Sequence, residues 1–223
     1  MTGWPGRVGL RHQQRSPGFS GRLHWRYEHR DCGPRIRAEH AIADTIRGLD
    51  RARVLVGISG YGGSGKTILG RALAGVLDCP VVAMDAFGTT AVFQRSTDWH
   101  GFDRVRLQEQ VLKPFSSGCP KIRYDACDDW ESWTSAWVER QVGRFLVVEG
   151  VGLFHPDLLR YLDYRIWLDV PLRRATAQGI ARERALGRFV ERLWRSIWEP
   201  NERDFERAFE PRQSAHRLVR PVP

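Results

Sequence analysis

A glycine-rich octapeptide, Gly60-Tyr-Gly-Gly-Ser-Gly-Lys66-Thr67, directly follows a short apolar run at Val54–Ile58. It fits the pattern G-x-x-x-x-G-K-[ST], in which glycines let the backbone wrap closely around a phosphate and aim N–H groups at it. The helix that begins at such a loop adds the positive end of its dipole. The pattern therefore restricts the chain to folds with a buried strand before the loop and a helix after it, and it predicts nucleotide binding.

The side chains of this octapeptide also fit phosphate chemistry. Lys66 offers a mobile positive charge to the β- and γ-phosphates of ATP, and the Thr67 hydroxyl is suited to Mg²⁺. The chain has 32 arginines and only three lysines, so composition alone favours arginine at position 66. The predicted nucleotide-binding residues are Gly60, Gly62, Gly63, Ser64, Gly65, Lys66 and Thr67. ATP and Mg²⁺ are the predicted cofactors.

Apolar runs alternate with helical patterns along the rest of the chain. The runs predict strands at residues 54–58, 80–84, 145–148 and 164–168, with a short last strand at 218–219. The helical patterns cover residues 36–49, 66–77, 103–117, 171–186 and 189–209, the last one interrupted near Pro200. Continuously apolar, β-branched runs are typical of strands buried on both faces. The sequence thus predicts one α/β domain over residues 36–223, with a parallel sheet covered by helices on both faces.

Composition excludes several other classes of protein. Hydrophobic residues make up 42% of the 223 residues and charged residues 27%, which is enough for a core and excludes a wholly disordered chain. No stretch approaches 18 consecutive apolar residues, which excludes a membrane-spanning helix, and residues 1–30 lack the apolar core of a signal peptide. We therefore expect a cytoplasmic protein. Four widely spaced cysteines without a CxxC pair argue against a zinc site and a disulfide framework.

The net charge of +9 is concentrated near the N-terminus. Residues 1–35 hold seven arginines against two acidic residues, whereas the other 188 residues hold 28 basic and 24 acidic side chains. Six glycines and three prolines in this arm predict poor order. The arm could bind phosphates through arginine, or it could be an extension without a role. Because the remainder is nearly charge-balanced and holds no known nucleic-acid module, we do not expect a nucleic-acid partner.

Two predicted strands end in carboxylates. Asp85 follows the second strand and Glu149 ends the third, so both are expected at the sheet edge where open α/β sheets bind ligands. One could serve as a base for a hydroxyl group and the other as an anchor for a metal ion, although strand-end acids also cap helices or face water. A basic cluster follows on the helix at 171–186 and its end: Arg173, Arg174, Arg182, Arg184 and Arg188. Such arginines either stabilise a transferring phosphoryl group or form a solvated face.

The motifs taken together resemble the uridine kinase-like P-loop kinases, a family that includes pantothenate kinase and phosphoribulokinase. The resemblance covers about residues 50–220. The segments that carry it, in order, are Val56–Thr67, Met84–Phe87, Ser96–Asp103, Tyr124–Asp125, Val147–Gly150, Ala181–Arg188 and Pro211–Val219. It implies a P-loop NTPase-type α/β fold with a helical lid.

The resemblance also implies roles for the catalytic residues. Asp85 is implied to be the base that accepts the proton of a sugar hydroxyl, beside Lys66 in the loop. Arg182 and Arg188 are implied to belong to a lid over ATP. These four residues form the predicted catalytic set.

Binding residues follow from the resemblance as well. Asp98 or Asp103, and Tyr124, fall where the family holds the nucleoside. Thr67, with Glu149, is implied to organise Mg²⁺. The aromatic side chains of Phe87 and Trp99 either stack on a planar base or belong to the core.

Departures from the family pattern lie on the substrate side. Gly88 stands at a usual tyrosine, Gly179 at a common arginine, and no histidine follows Tyr124-Asp125 where pyrimidine-specific members have one. The stretch from Asp98 to Asp103 is shorter than usual. The resemblance therefore implies phosphoryl transfer more firmly than it implies a particular acceptor.

The resulting prediction is an ATP-dependent small-molecule kinase that phosphorylates the 5′-hydroxyl of a pyrimidine nucleoside such as uridine or cytidine. Two alternatives remain open: a kinase for another hydroxylated metabolite, such as a nucleoside-like compound, a pantothenate-like acid or a sugar, and a non-kinase, nucleotide-dependent binding protein. The spacing of Trp130, Trp133 and Trp137 (i, i+3, i+7) places them on one helical face, which predicts packing against the core or the lid. The oligomeric state is not predicted.

Overall fold

The computed structural model describes residues 33–129 and 133–221. Its first helix, α1, covers Gly33–Arg47 and so begins in the last three residues of the predicted N-terminal arm. Residues 1–32 of that arm lie outside the described part of the chain.

Parallel strands form the main sheet, as predicted. The strands of the described chain are β1 (Val54–Ser59), β2 (Val81–Ala83), β3 (Lys121–Asp129), β4 (Thr134–Gln141), β5 (Phe145–Glu149), β6 (Tyr164–Leu168) and β7 (Arg217–Val219). Five of them pair in the order β2-β5-β1-β6-β7, and every pair is parallel. All six residues of β1 are buried, as expected of a strand in the middle of a sheet covered on both faces.

Helices cover both faces of this sheet. Those after α1 are α2 (Lys66–Leu77), α3 (Arg104–Leu107), α4 (Lys113–Ser116), α5 (Pro156–Leu159), α6 (Leu172–Ala185), α7 (Glu191–Leu193) and α8 (Glu199–Phe209). Met84–Phe87 and Thr90–Phe93 are 3₁₀ turns, and Gln108–Leu112 and Trp194–Trp198 are π-helical. The α/β fold class predicted from the sequence is therefore confirmed.

Side-chain alternation along the strands divides the core in two. Val56 of β1 packs in one cluster with Ile46 of α1 and Leu73 of α2. Its neighbour Leu55 packs in the second cluster, which includes Phe205 of α8. Successive side chains of a strand point to opposite faces, so each face of the sheet has its own layer of helices.

A β-hairpin replaces the helix in which three tryptophans were expected to share a face. Strands β3 and β4 pair antiparallel, with Tyr124 opposite Val138. Trp133 lies in the turn between them, and Trp137 lies on β4 with 59% of its surface exposed, under the Arg123 guanidinium. Trp130 lies outside the described residues. The helical interpretation was wrong because pairing with β3 holds the segment of Trp137 in an extended conformation. Packing against the core, the other part of the prediction, is confirmed for Trp133 and not for Trp137.

The helical region after residue 190 is interrupted near Pro200, as predicted, and it begins at Glu191 rather than at Phe189. The π-helical segment Trp194–Trp198 separates α7 from α8, and Pro200 lies in the first turn of α8. Proline has no N–H to donate to the preceding turn, so the regular hydrogen-bond ladder cannot continue through it.

The parallel topology brings several strand ends to one edge. In the register of the sheet, Glu149 at the end of β5 lies opposite Ile58 of β1 and Ala83 of β2. The segment after β1 and Asp85 after β2 therefore emerge beside Glu149.

In residues 33–129 and 133–221, no helix combines the length and apolar character needed to span a membrane.

Candidate functional site

The glycine-rich segment Gly60–Thr67, named the phosphate loop after its motif, covers the turn after β1 and the first two residues of α2. Gly63 has a φ of 82°, which disfavours other residues. A Cβ atom added to Gly63 would collide with the Ala175 carbonyl oxygen and lie 2.7 Å from the Gly179 nitrogen, both on α6. The loop therefore packs directly against the backbone of α6, and glycine at position 63 permits this close approach.

Lys66 lies inside the loop, with only 7% of its surface exposed. Its Nζ donates a hydrogen bond to the Tyr61 carbonyl oxygen at 2.8 Å, across the loop. Burial lowers the pKa of Lys66, while the negative charges of Glu202, Glu149 and Asp85 oppose that shift. Three carboxylates thus act electrostatically on the ammonium group.

Thr67 and Glu149 are joined directly. The Thr67 hydroxyl donates to Glu149 Oε1 at 2.9 Å, and Glu149 is buried at the end of β5. Burial and the charge of Asp85 raise the pKa of Glu149, whereas Lys66 and the Thr67 hydrogen bond lower it. Two hard oxygen ligands fit Mg²⁺, which commonly takes one or two protein ligands together with phosphate oxygens and water.

Asp85 lies in the 3₁₀ turn that follows β2. Its side chain is accessible to solvent, but protein surrounds it densely, and this desolvation raises the pKa of its carboxyl group. The charges of Lys66 and Arg182 act in the opposite direction. These interactions join Asp85 to the phosphate loop and to α6, so the structure brings together the predicted base, the predicted lysine and one predicted lid arginine.

Both predicted lid arginines are bound to one buried carboxylate. Arg182 donates through Nε and Nη2 to Glu183 Oε1, at 3.0 and 2.7 Å, and Arg188 Nη1 lies 3.3 Å from Glu183 Oε2. Glu183 is itself buried. Sequence reasoning identified the two arginines but missed the acid that holds them at the end of α6.

Two of the predicted substrate residues contact the turn that holds Asp85. Tyr124 on β3 stacks on Phe87, with ring centroids 5.6 Å apart, and its burial raises the pKa of its hydroxyl group. The Asp103 N–H donates to the Phe87 carbonyl oxygen at 2.9 Å, and the Asp103 carboxylate caps α3 through the Arg106 N–H. Asp103 and Tyr124 therefore converge two residues away from Asp85.

Asp98, the third predicted substrate residue, is tied to its own loop, residues 96–104. Its carboxylate accepts hydrogen bonds from Ser96 Oγ and Arg104 Nη2, each at 2.9 Å. Burial alone would raise the pKa of Asp98, but these hydrogen bonds and the Arg104 charge lower it. Neighbouring Trp99 is buried, as is Phe87, so both aromatic rings belong to the core.

Sequence reasoning missed the contribution of the chain after α7. Glu202 of α8 is buried, and its Oε1 accepts a hydrogen bond from the Gly62 N–H at 2.6 Å. Next to it, Asn201 accepts from the Ser96 N–H and donates to the Gln94 carbonyl oxygen, each at 2.9 Å. The sequence held one indication that Glu202 is buried: on a helix it shares a face with the aromatic Phe205, three residues later. Helix α8 thus contacts both the phosphate loop and the segment that leads to Asp98.

A cavity of about 640 Å³ adjoins the phosphate loop at Tyr61. Trp167, Pro171 and Leu172 give it an apolar part. Its charged lining combines three arginines with two acids: Arg174, Arg212, Arg220, Asp169 and Glu206. Its volume lies in the range of small-molecule sites.

No protein-family model matches the chain, and no curated protein matches it. Solved structures resemble it instead. One, described as a possible uridine kinase from Bacillus stearothermophilus, has a TM-score of 0.62 at 18% identity and covers 82% of this chain and 98% of its own. Another, described as a candidate fructose transport system kinase from Silicibacter sp. TM1040, has a TM-score of 0.67 at 22% identity, with the same coverage. At these identities the likeness shows a shared α/β fold.

Proposed function

We propose that this protein is a P-loop kinase of the uridine kinase-like type, which transfers the γ-phosphoryl group of ATP to a hydroxyl group of a small molecule. One observation carries the proposal. Lys66 in the phosphate loop, the hydrogen-bonded pair Thr67 and Glu149, and Asp85 lie together at the carboxyl edge of a parallel sheet. Each of these groups corresponds to one need of phosphoryl transfer.

The donor side uses the loop and α2. The loop amides and Lys66 bind the phosphates, while Thr67 and Glu149 would hold Mg²⁺. When bound, Mg²⁺ offsets the negative charge of the phosphate oxygens. The cavity beside Tyr61 has room for the nucleoside part of the donor. Its position next to the loop supports a nucleotide, rather than free phosphate, as the donor.

The acceptor side uses Asp85 as base. Its carboxylate accepts the proton of the acceptor hydroxyl, and its raised pKa makes it a stronger base than an ordinary carboxylate. Arg182 and Arg188, at the end of α6, offset the charge of the transferring phosphoryl group. Because the protein forms no covalent bond to the phosphoryl group, most of the catalysis comes from positioning the reactants and from stabilising the charge of the transition state.

The acceptor we favour is the 5′-hydroxyl of a pyrimidine nucleoside. The order of the motifs, which resembles that of the uridine kinase-like family, supports a nucleoside, and one structural neighbour is described as a possible uridine kinase. Asp103 and Tyr124, which converge near Asp85, are the proposed nucleoside contacts, with Asp98 at the far end of the same loop. The second candidate is a sugar, because the other neighbour is described as a candidate fructose transport system kinase and Gly88 replaces a usual tyrosine.

The test is ADP release from Mg·ATP across uridine, cytidine, purine nucleosides, fructose, other sugars and small polyols. We expect stimulation by pyrimidine nucleosides in the wild type and none in Lys66→Ala. Stimulation by fructose alone would replace the nucleoside with a sugar acceptor. If the protein binds ATP and no nucleoside or sugar stimulates ADP release, the acceptor assignment is wrong.

A further inference from the structure

A buried acidic side chain is bonded to the phosphate loop. Glu202 exposes 4% of its surface, and its Oε1 accepts the Gly62 N–H at 2.6 Å. The Trp194 ring packs against the same glycine. Loops of this kind bind anions through their N–H groups, so a carboxylate at one of them takes a hydrogen bond from the anion-binding surface itself.

The Glu202 carboxylate also acts on the charge of Lys66. Of the three acids whose charges act on Lys66, Glu202 has the largest effect, followed by Glu149 and Asp85. In the proposed function Glu149 holds Mg²⁺ and Asp85 accepts a proton, so both need their negative charge. Glu202 has no such task, although it is the acid most strongly coupled to the lysine that binds phosphate.

We propose that Glu202 sets the affinity of the loop for phosphate. Its carboxylate holds the Gly62 N–H and balances Lys66 in the nucleotide-free protein, and it takes up one proton from solvent when the phosphates of the donor bind. The inference rests on the proposed nucleotide binding and adds a proton-linked positioning residue to it.

Elementary electrostatics supports the proton uptake. A second anion in a buried site repels the first, and neutralising one of them removes the repulsion. The proton would come from solvent and bond to Oε2, which leaves Oε1 as acceptor for the Gly62 N–H. No other bond changes.

The groups that face Glu202 determine where the proton binds. The loop contributes Lys66, the Gly62 N–H and the Tyr61 hydroxyl, α8 contributes Glu206, and the Trp194 ring is neutral. Burial is the largest effect and raises the pKa of Glu202 to about 7; Lys66 and the Gly62 hydrogen bond lower it, and Glu206 raises it. Nucleotide affinity should therefore weaken as the pH rises above about 7.

The experiment is calorimetric titration with Mg·ADP, and separately with pyrophosphate, at pH 6, 7 and 8 in two buffers of different ionisation enthalpy. The variants are Glu202→Gln, which removes the charge, and Glu202→Asp, which keeps it. Glu199→Gln is the matched control, because Glu199 lies one turn earlier on α8 and pairs with Arg203. Protonation of the ligand itself is common to all variants and cancels in the comparison.

We expect Glu202→Gln to bind both ligands roughly tenfold more tightly than the wild type at pH 8, with little difference at pH 6. The proton taken up by the wild type should be missing in Glu202→Gln and retained in Glu202→Asp and Glu199→Gln. Melting temperatures separate a folding defect from a change in binding.

Other outcomes distinguish the two proposals. If Mg·ADP binds and Glu202→Gln, folded like the wild type, binds it equally or more weakly without a change in proton uptake, Glu202 only supports the loop and this inference is overturned. If neither Mg·ADP nor pyrophosphate binds to the wild type, the proposed function is overturned, and this inference with it.

Discussion

The Trp194 ring packs against Gly179 so closely that no side chain fits between them. A Cβ atom added to Gly179 would lie 2.5 Å from Trp194 Cζ2, and the same ring lies 3.0 Å from where a Cβ of Gly62 would be. One indole therefore fills the space between α6 and the phosphate loop. The Trp194 ring thus occupies the space that a side chain at position 179 would need.

Gly179→Ala should displace this ring and destabilise the protein. Overpacking in a buried contact costs about 1–3 kcal/mol in the free energy of unfolding, which lowers Tm by about 2–4 °C per kcal/mol in a domain of this size. The control is Gly75→Ala, because Gly75 also lies within a helix, α2, and an added Cβ would meet no atom within 4 Å. Gly75→Ala should raise stability slightly. Equal Tm values for the two variants would mean that Trp194 readily moves aside.

Lys66→Ala should weaken nucleotide binding and the rate of ADP release together. The buried ammonium group is the loop's own positive charge, and three carboxylates act on it, so its removal leaves them uncompensated. We expect the affinity for Mg·ATP to fall at least about tenfold, the scale of a hydrogen bond to a charged group. Lys113→Ala is the control, because Lys113 is an exposed lysine paired with Glu109. A Lys66→Ala protein that binds Mg·ATP like the wild type would contradict the role of the loop.

Asp85→Asn should leave ATP binding nearly intact and abolish transfer. Asparagine keeps the shape of the side chain but cannot accept the proton of the acceptor at neutral pH. The matched control is Asp44→Asn, at an exposed aspartate on α1 that pairs with Arg47. ADP release and Mg·ATP titrations measure the two effects separately. Full turnover by Asp85→Asn would remove Asp85 from the mechanism.

The pH dependence of the wild type gives an independent check on Asp85. The pKa of this carboxyl group is raised by desolvation, and the base must be ionised to act. Transfer should therefore fall as the pH drops through the raised pKa, that is, at a higher pH than for an ordinary aspartate. The measurement is the initial rate of ADP release between pH 4 and 9 with saturating acceptor. Because Glu202 affects nucleotide affinity in the opposite direction, Mg·ATP must also be saturating.

Local patterns were sufficient to predict the sheet and the phosphate loop. The apolar run of β1 and the glycines after it determine a buried strand and the tight turn that leads into α2 from neighbouring residues alone. The spacing of the tryptophans predicted a helix where the structure has the hairpin of β3 and β4. That hairpin depends on pairing between residues such as Tyr124 and Val138, which no local spacing reveals.

The residues of the candidate site likewise fall into those that a local motif predicts and those that only the folded chain brings to the site. Lys66 and Thr67 follow from a motif, whereas Glu202 contacts a residue 140 positions earlier in the chain, so its burial depends on how α8 packs. Glu183 was missed because it lies in a run of charged residues that, as a sequence, is typical of a solvated helix face. Only the folded chain shows that this one acid is buried between two arginines.

Thr67→Val should increase the magnesium requirement. Valine keeps the shape of threonine but removes the hydroxyl that donates to the buried Glu149 carboxylate and that is proposed to bind the metal ion. We expect the Mg²⁺ concentration for half-maximal ADP release to rise about tenfold or more, the size of effect seen when a group that supports a metal ligand is lost. Thr67→Ser, which retains the hydroxyl, should restore the wild-type requirement. An unchanged Mg²⁺ requirement in Thr67→Val, with Tm preserved, would mean that the metal ion is held by other groups and that the pair of Thr67 and Glu149 only joins α2 to β5.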